Sequence, residues 1–252
     1  SSDLMHVWRH RLGAAQADDV LIYEEQDSGW FTHLHESTSG RFCVIAGGDH
    51  ETSEQRLIDL SNPDAPPRLV AARERGVHYS IADRRDELFI LTNADSAIDF
   101  RIAVAPVASP ERVNWRDLIP HRAGVYILDH DLYAGHLVRL ERANALPAII
   151  IRDLKSGEEH AIAFDEAAYA LDTMGSYEFD TPNLRFAYSS MTTPSEVYDY
   201  DMSKQTRILR KRQEIPSGHD AADYVTTRIV AISHDGAEVP ISLLHRRGLE
   251  RD

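Results

Sequence analysis

The stretch Phe31–Glu74, FTHLHESTSGRFCVIAGGDHETSEQRLIDLSNPDAPPRLVAARE, holds four short strand-like runs: FTHLHES, RFCVIAG, QRLIDLS and RLVAARE. Ser39-Gly40, Asn62-Pro63 and Pro66-Pro67 break the chain between them, as glycine and proline do wherever the backbone must leave a strand. The unit recurs. Apolar runs at Phe42–Ala46, Leu88–Leu91, Leu137–Leu140 and Leu184–Tyr188 start 46, 49 and 47 residues apart. A second series, RLIDLS from Arg56, RIAVAPV from Arg101, AIIIRDL from Ala148 and EVYDYDM from Glu196, starts 45, 47 and 48 residues apart.

Four strands in about 45 residues is the repeat of a β-propeller blade. FCVIA, LFIL and AIII are apolar at every position, which suits sheets covered on both faces by their neighbours. EVYDYDM alternates, with Tyr198, Tyr200 and Met202 on one side, and reads as an outer strand with one wet face. The one helical hint is a turn around FDEAAYAL, Phe164–Leu171. A β-sandwich would not predict four repeats at one spacing. The expected fold is all-β, a partial propeller over residues 1–216 of about four and a half four-stranded blades. HVWRHRLG and DVLIYEE form a half blade within 1–26, and full blades follow at about 31–75, 77–120, 124–166 and 170–214. After the linker IPSGHDAADY the rhythm changes. YVTTRIVAISHDGAEVPISLLHRRG is a hairpin turning at His234-Asp235-Gly236, so 217–252 is expected to open another domain.

Composition narrows the chemistry. The chain has 252 residues, enough for a substantial core. With 27 Lys+Arg against 41 Asp+Glu its net charge is −14, which argues against non-specific nucleic-acid binding and favours cationic partners. No run of about eighteen apolar residues and no apolar leader occurs, so neither membrane insertion nor export is expected and the location read is cytoplasmic. The single cysteine, Cys43, excludes an internal disulfide and reads as a small core residue.

The order of VWRHRLGAAQADDVLIYEE, PHR, YEFDTPNLRFAYSSMTTPSEVYDYDM and RIVAISHDGAEVPISLLHRR resembles the prolyl oligopeptidase family of serine peptidases, and most of all its oligopeptidase B branch. Tyr177–Met202 is the most distinctive piece, similar to the last blade of that family's propeller. The resemblance implies a seven-bladed propeller capping an α/β-hydrolase domain whose sequence lies on both sides of it. On that reading this chain is a fragment, and its closing hairpin is the first piece of the returning hydrolase domain. The implied role is non-catalytic: the propeller admits short peptides, cleaved after basic residues, and excludes folded proteins. A free-standing propeller scaffold and the prolyl-specific branch are the alternatives, and the hairpin argues against the scaffold.

No catalytic residue is expected in the chain. A hydrolase of that kind needs a nucleophile on a G-x-S-x-G elbow, followed by an acid and a histidine, and no serine here has glycine at both −2 and +2. Ser233, His234 and Asp235 are adjacent, and neighbours in a hairpin turn cannot converge into a triad. His33-Leu34-His35-Glu36 could set two imidazoles on one strand face, but zinc needs further ligands. These residues read as polar positions of an innermost strand, and neither metal nor cofactor is expected. Arg84-Arg85, between Asp83 and Asp86, reads as a turn. Arg207, Arg210, Lys211 and Arg212 read as a solvated outer edge, without the interleaved aromatics of a nucleic-acid surface. The expected partners are short peptides, the remainder of the hydrolase domain, and further copies of the chain meeting at open blade edges. Arg9 and Arg11 on the first strand would disfavour simple edge pairing there.

Overall fold

The computed structural model describes residues 5–175 and 178–249. The extreme residues of the 1–26 and 217–252 segments, and Tyr177 at the head of the Tyr177–Met202 match, lie outside the described residues. The chain divides into two compact units, one ending at Arg122 and the next beginning at Ala123.

In the first unit, β1 (His6–Arg9) and β2 (Val20–Glu24) form a two-stranded antiparallel sheet. Two four-stranded meanders follow. The first is β3 (Phe31–Glu36), β4 (Phe42–Gly48), β5 (Ser53–Asp59) and β6 (Arg68–Ala71). The second is β7 (Tyr79–Arg84), β8 (Glu87–Thr92), β9 (Arg101–Pro106) and β10 (Arg116–Ile119). The second unit repeats the arrangement twice. One sheet is β11 (Val125–Leu132), β12 (His136–Ala143), β13 (Leu146–Asp153) and β14 (Glu159–Ala161). The other is β15 (Tyr169–Thr173), β16 (Asn183–Ser190), β17 (Glu196–Asp201) and β18 (Thr206–Arg212). The hairpin β19 (Tyr224–Ile232) and β20 (Glu238–Arg246) forms a separate two-stranded sheet. Each meander is a propeller blade, and the chain is a β-propeller fragment.

The apolar runs become covered central strands. In β8, Leu88 and Ile90 point to one face and Phe89 and Leu91 to the other, and all four are buried. Phe42, Val44, Leu57 and Val70 of the first blade pack on Tyr79, Leu88, Ile90, Ala103 and Ala105 of the second. Val138, Leu140, Ile149 and Ile151 of the third pack on Leu184, Phe186, Tyr188, Tyr200 and Met202 of the fourth. A blade is therefore not a folding unit by itself, because half of its core belongs to a neighbour.

Short polar motifs end the strands. Asp59, Asp153 and Asp201 each close the third strand of a blade, and each carboxylate accepts an N–H two residues on, from Ser61, Lys155 and Ser203. This side-chain turn explains why D-x-S or D-x-K recurs at that point. At the second blade Pro106 stands there instead, and Ser109 N–H bonds its carbonyl.

Three expectations change. Phe164–Leu171 contains no helical turn: its first residues run irregularly into β15 at Tyr169, where pairing with Ser190 takes the chain into the sheet. Arg11 lies beyond the end of β1, and Arg9 on that strand is engaged, donating to the Pro63 carbonyl and pairing with Asp64 at 2.7 Å. β17 pairs on both sides, with β16 and β18, so it is not the outermost strand of its sheet, and its polar face stays partly exposed. Asp199 there is bracketed by Arg185 at 2.7 Å and Arg210 at 2.6 Å.

Candidate functional site

Where the fourth blade hands over to the hairpin, the hydroxyl-rich turn after β16 wraps one carboxylate. Glu166, between β14 and β15, accepts from Tyr188 Oη at 2.8 Å, Thr192 Oγ1 at 2.7 Å, Thr193 Oγ1 at 2.5 Å and Ser190 Oγ. Ser190 Oγ in turn accepts the N–H groups of Thr192 and Thr193 at 3.0 and 2.8 Å. Burial works to raise the Glu166 carboxyl, but the hydroxyls of Ser190, Thr193, Thr192 and Tyr188 outweigh it and hold the group below its usual range. A carboxylate saturated this way is a structural anion, with no lone pair left for chemistry.

The next strand supplies a second tied carboxylate. Glu196, at the start of β17, is buried and accepts from Tyr198 Oη and Arg212 Nε, each at 2.6 Å. The turn, the end of β18 and the connector that follows it frame an open cleft of about 710 Å³, lined by Thr192, Pro194, Glu196, Arg212, His219 and Asp220.

The connector 213–223 is exposed along its length, so a few polar bonds fix its course. His219 Nε2 lies 2.6 Å from the Thr192 carbonyl. A carbonyl only accepts, so that nitrogen carries the proton. The His219 ring stacks on Tyr224 at 5.9 Å. Asp220 accepts the Ala222 N–H at 2.9 Å and caps a single 3-10 turn. Arg247, beyond β20, donates from Nε to the Ala222 carbonyl at 2.8 Å and from its N–H to the Asp223 carbonyl at 2.7 Å. Arg228 of β19 donates to the Asn144 carbonyl in the β12–β13 turn.

The residues singled out from the sequence take plain roles. Ser233, His234 and Asp235 share the β19–β20 turn, where Asp235 accepts from Ser233 Oγ and from the Ala237 N–H, and Gly236 takes φ +84°. Only glycine enters that backbone region freely. His33 and His35 lie on one face of β3, an edge strand, and the described residues contain no group of three or more His, Cys, Asp or Glu able to hold a metal. Burial, then Glu36, pushes the Cys43 thiol up, away from thiolate reactivity. Arg85 turns β7 into β8 with φ 54°. In the basic cluster, Arg207 donates to the Ala163 carbonyl and lies 5.3 Å over Phe164, while Arg210 and Arg212 pair with Asp199 and Glu196. Arg210 and Arg212 are thus committed within the blade, and Arg207 to the segment that leads into it from β14.

Glu166, His219 and Arg228 were not anticipated. The dense hydroxyls of YSSMTT were the one available signal that a carboxylate must lie near. No described helix is long and apolar enough to cross a membrane.

The profile of the prolyl oligopeptidase N-terminal β-propeller domain matches residues 1–213. Dipeptidyl aminopeptidase BI of Pseudoxanthomonas mexicana is 35% identical over 245 residues, covering 96% of this chain and 33% of that protein. Protease 2 of Moraxella lacunata is 26% identical over 243 residues, covering 96% of this chain and 34% of its own length. Among solved structures, oligopeptidase B from Trypanosoma brucei, in a closed form with covalently bound antipain, superposes with a TM-score of 0.87. It is 29% identical, over 97% of this chain and 36% of that one. Oligopeptidase B from Leishmania major gives 0.86 at 26% identity, over 97% and 36%. The chain spans about a third of the length of the curated relatives it matches.

Proposed function

This chain belongs to the prolyl oligopeptidase family, as part of its N-terminal β-propeller, and from that premise we propose that it is the non-catalytic gate of a serine oligopeptidase of oligopeptidase B type. The observation that carries the reading is the junction. The propeller sheets lead through a short tied connector into a hairpin with its own sheet, and this combination matches oligopeptidase B over nearly the whole chain. The hairpin is read as the first strands of the returning α/β-hydrolase domain, with the boundary near residue 216. The blades contribute walls rather than chemistry, so short peptides reach the hydrolase site and folded proteins do not.

In the complete protein, a short peptide with an internal arginine should be cleaved efficiently. The same sequence displayed in a rigid loop of a folded carrier should be cut far more slowly. Equal kcat/KM for the two substrates would overturn the gating role.

The 35% identity to a dipeptidyl aminopeptidase favours a second reading of the parent activity, removal of dipeptides from a free N-terminus. Blocking the peptide's amino group separates the two readings. An endopeptidase still cleaves the acylated peptide, whereas an aminopeptidase releases a dipeptide only from the free one.

A further inference from the structure

We propose that the inner edge of the third and fourth blades is a recognition site for the cationic side chains of peptides, with Asp129 and Asp172 at its mouth, Asp131 deeper, and the Tyr133 hydroxyl behind them. The proposal rests on the gating reading only for the premise that peptides reach the blades.

The residues come together because two blades meet at their first strands. β11 and β15 each occupy the edge of a four-stranded sheet, and in a propeller the first strand of a blade lies beside the central channel. The Thr173 hydroxyl of β15 bonds the Asp131 carboxylate of β11 and joins the two edges. Gly175 adds no bulk there, where a Cβ would lie 4.0 Å from Asp131 Oδ1. A register shift in β11 between Ile127 and Asp129 breaks the alternation, so Leu128 and Asp129 are both exposed. Bulges re-aim side chains in this way. Asp172 is exposed on β15.

These carboxylates differ from their neighbours in lacking a countercharge. On other strands of the same blades Glu141, Glu159, Glu196 and Asp199 are each held by arginine. Among the described residues no arginine or lysine pairs with Asp129, Asp131 or Asp172. Burial raises the Asp131 carboxyl above its usual range, the Thr173 hydroxyl opposes the rise, and the charges of Asp129 and Asp172 add to it. A positive group that enters from outside the chain relieves that repulsion.

Tyr133 points to a ligand independently. It is 1% exposed, and its Oη, like Asp131 Oδ2, is buried without a hydrogen-bond partner. Burial, then the Asp131 charge, pushes the phenol up, so the hydroxyl remains a donor beside that carboxylate. Buried polar atoms left open cost free energy. With a cation at the mouth, the Tyr133 hydroxyl has an ionised Asp131 Oδ2 on which to close. A metal ion fits poorly, because the described residues hold no group of three or more His, Cys, Asp or Glu able to bind one. Carboxylates spread over two strands suit a guanidinium, whose donors fan out, better than a compact ion.

The test is binding of a fluorescein-labelled tetra-arginine peptide to the full chain, read by anisotropy, with the citrulline peptide of equal length as the neutral control. Binding should saturate, weaken as salt rises, and be lost with citrulline. Asp129→Asn/Asp172→Asn should weaken it about tenfold. Asp131→Asn should also weaken it, and Tyr133→Phe, which keeps the ring in the core, by a smaller factor. Glu51→Gln/Glu238→Gln removes the same two charges from exposed positions elsewhere and should leave the affinity unchanged. Equal losses in the two double variants, or no loss in Asp129→Asn/Asp172→Asn with an unaltered melting curve, would overturn the site. Displacement of the arginine peptide by calcium at constant ionic strength would give the cluster to a metal and overturn it as well. The gating reading survives any of these results, because it is judged on the peptide and carrier assay instead.

Discussion

Arg139 and Glu159 form a two-bond ion pair across the third blade, Nη1 to Oε1 at 3.0 Å and Nη2 to Oε2 at 2.9 Å, with the Arg139 side chain 1% exposed. Arg139 Nε also reaches Glu141 at 2.8 Å, and Arg152 supports Glu159 at 3.0 Å. Burial would lower the guanidinium's pKa, but the bonds to Glu159 and Glu141 overcome it and raise it. One cation therefore serves two carboxylates, Glu141 buried beside it and Glu159 at the solvent edge.

Removing that cation takes away the charge held against the buried Glu141 carboxylate, whereas Glu159 keeps Arg152. Arg139→Met should destabilise the fold by about 3–5 kcal/mol, the cost of breaking a buried pair from one side. Adding Glu141→Gln should recover part of the loss. Urea unfolding of both variants checks this, and an additive double variant would show that Glu141 is not the stranded group.

Acid should loosen the third and fourth blades through His136 and His160. Burial lowers both imidazoles, with Asp153 and Asp201 opposing it at His136 and the His136 charge adding to it at His160. A histidine with a depressed folded pKa favours the neutral form. Stability is then full above the unfolded value of about 6.5 and falls as pH drops below it. His160→Phe keeps a ring beside Tyr200, now 5.9 Å away, and should flatten the fall in Tm between pH 7 and 5. An unchanged slope in His136→Asn/His160→Phe would place the acid sensitivity elsewhere.

Glu166 has the opposite sign. Its carboxyl is held below the usual range, so its contribution is full above the unfolded value of about 4.3 and is lost as pH falls past it. Glu166→Gln should cost about 1–3 kcal/mol at neutral pH. It should also remove that part of the acid dependence, so that the wild-type and variant stability curves converge below about pH 4. Curves that stay parallel to pH 3 would mean the hydroxyl cage does not depend on the charge.

By itself the chain should turn over neither arginine- nor proline-containing peptides. Ser233, His234 and Asp235 occupy one tight turn, and no elbow serine is present. Hydrolysis by purified chain that persists after removal of trace proteases, and stops with a serine-directed inhibitor, would contradict this.

The repeat, the strand positions and the hairpin were legible because each rests on local physics. Continuous apolar runs such as Leu88–Leu91 suit only sheets covered on both faces, and Asp-Gly at 235–236 suits only a turn. The exceptions are instructive. Phe164–Leu171 carries helix-forming alanines, but pairing of Tyr169 with Ser190 decides its course. Arg9 looked like an edge guard, and a carbonyl and carboxylate some 55 residues away, at Pro63 and Asp64, claim it.

The junction was illegible for a different reason. Glu166 meets its hydroxyls across 22 to 27 residues, His219 meets Thr192 across 27, and Arg228 meets Asn144 across 84. Periodicity and turn chemistry report how a residue sits relative to its own strand. Which carbonyl faces which side chain depends on the stacking of whole blades, and only the tertiary structure sets that. The sequence thus determined the β-propeller architecture through local periodicity. Packing alone decided where its connector is held, because bonds between distant turns leave no local pattern to read.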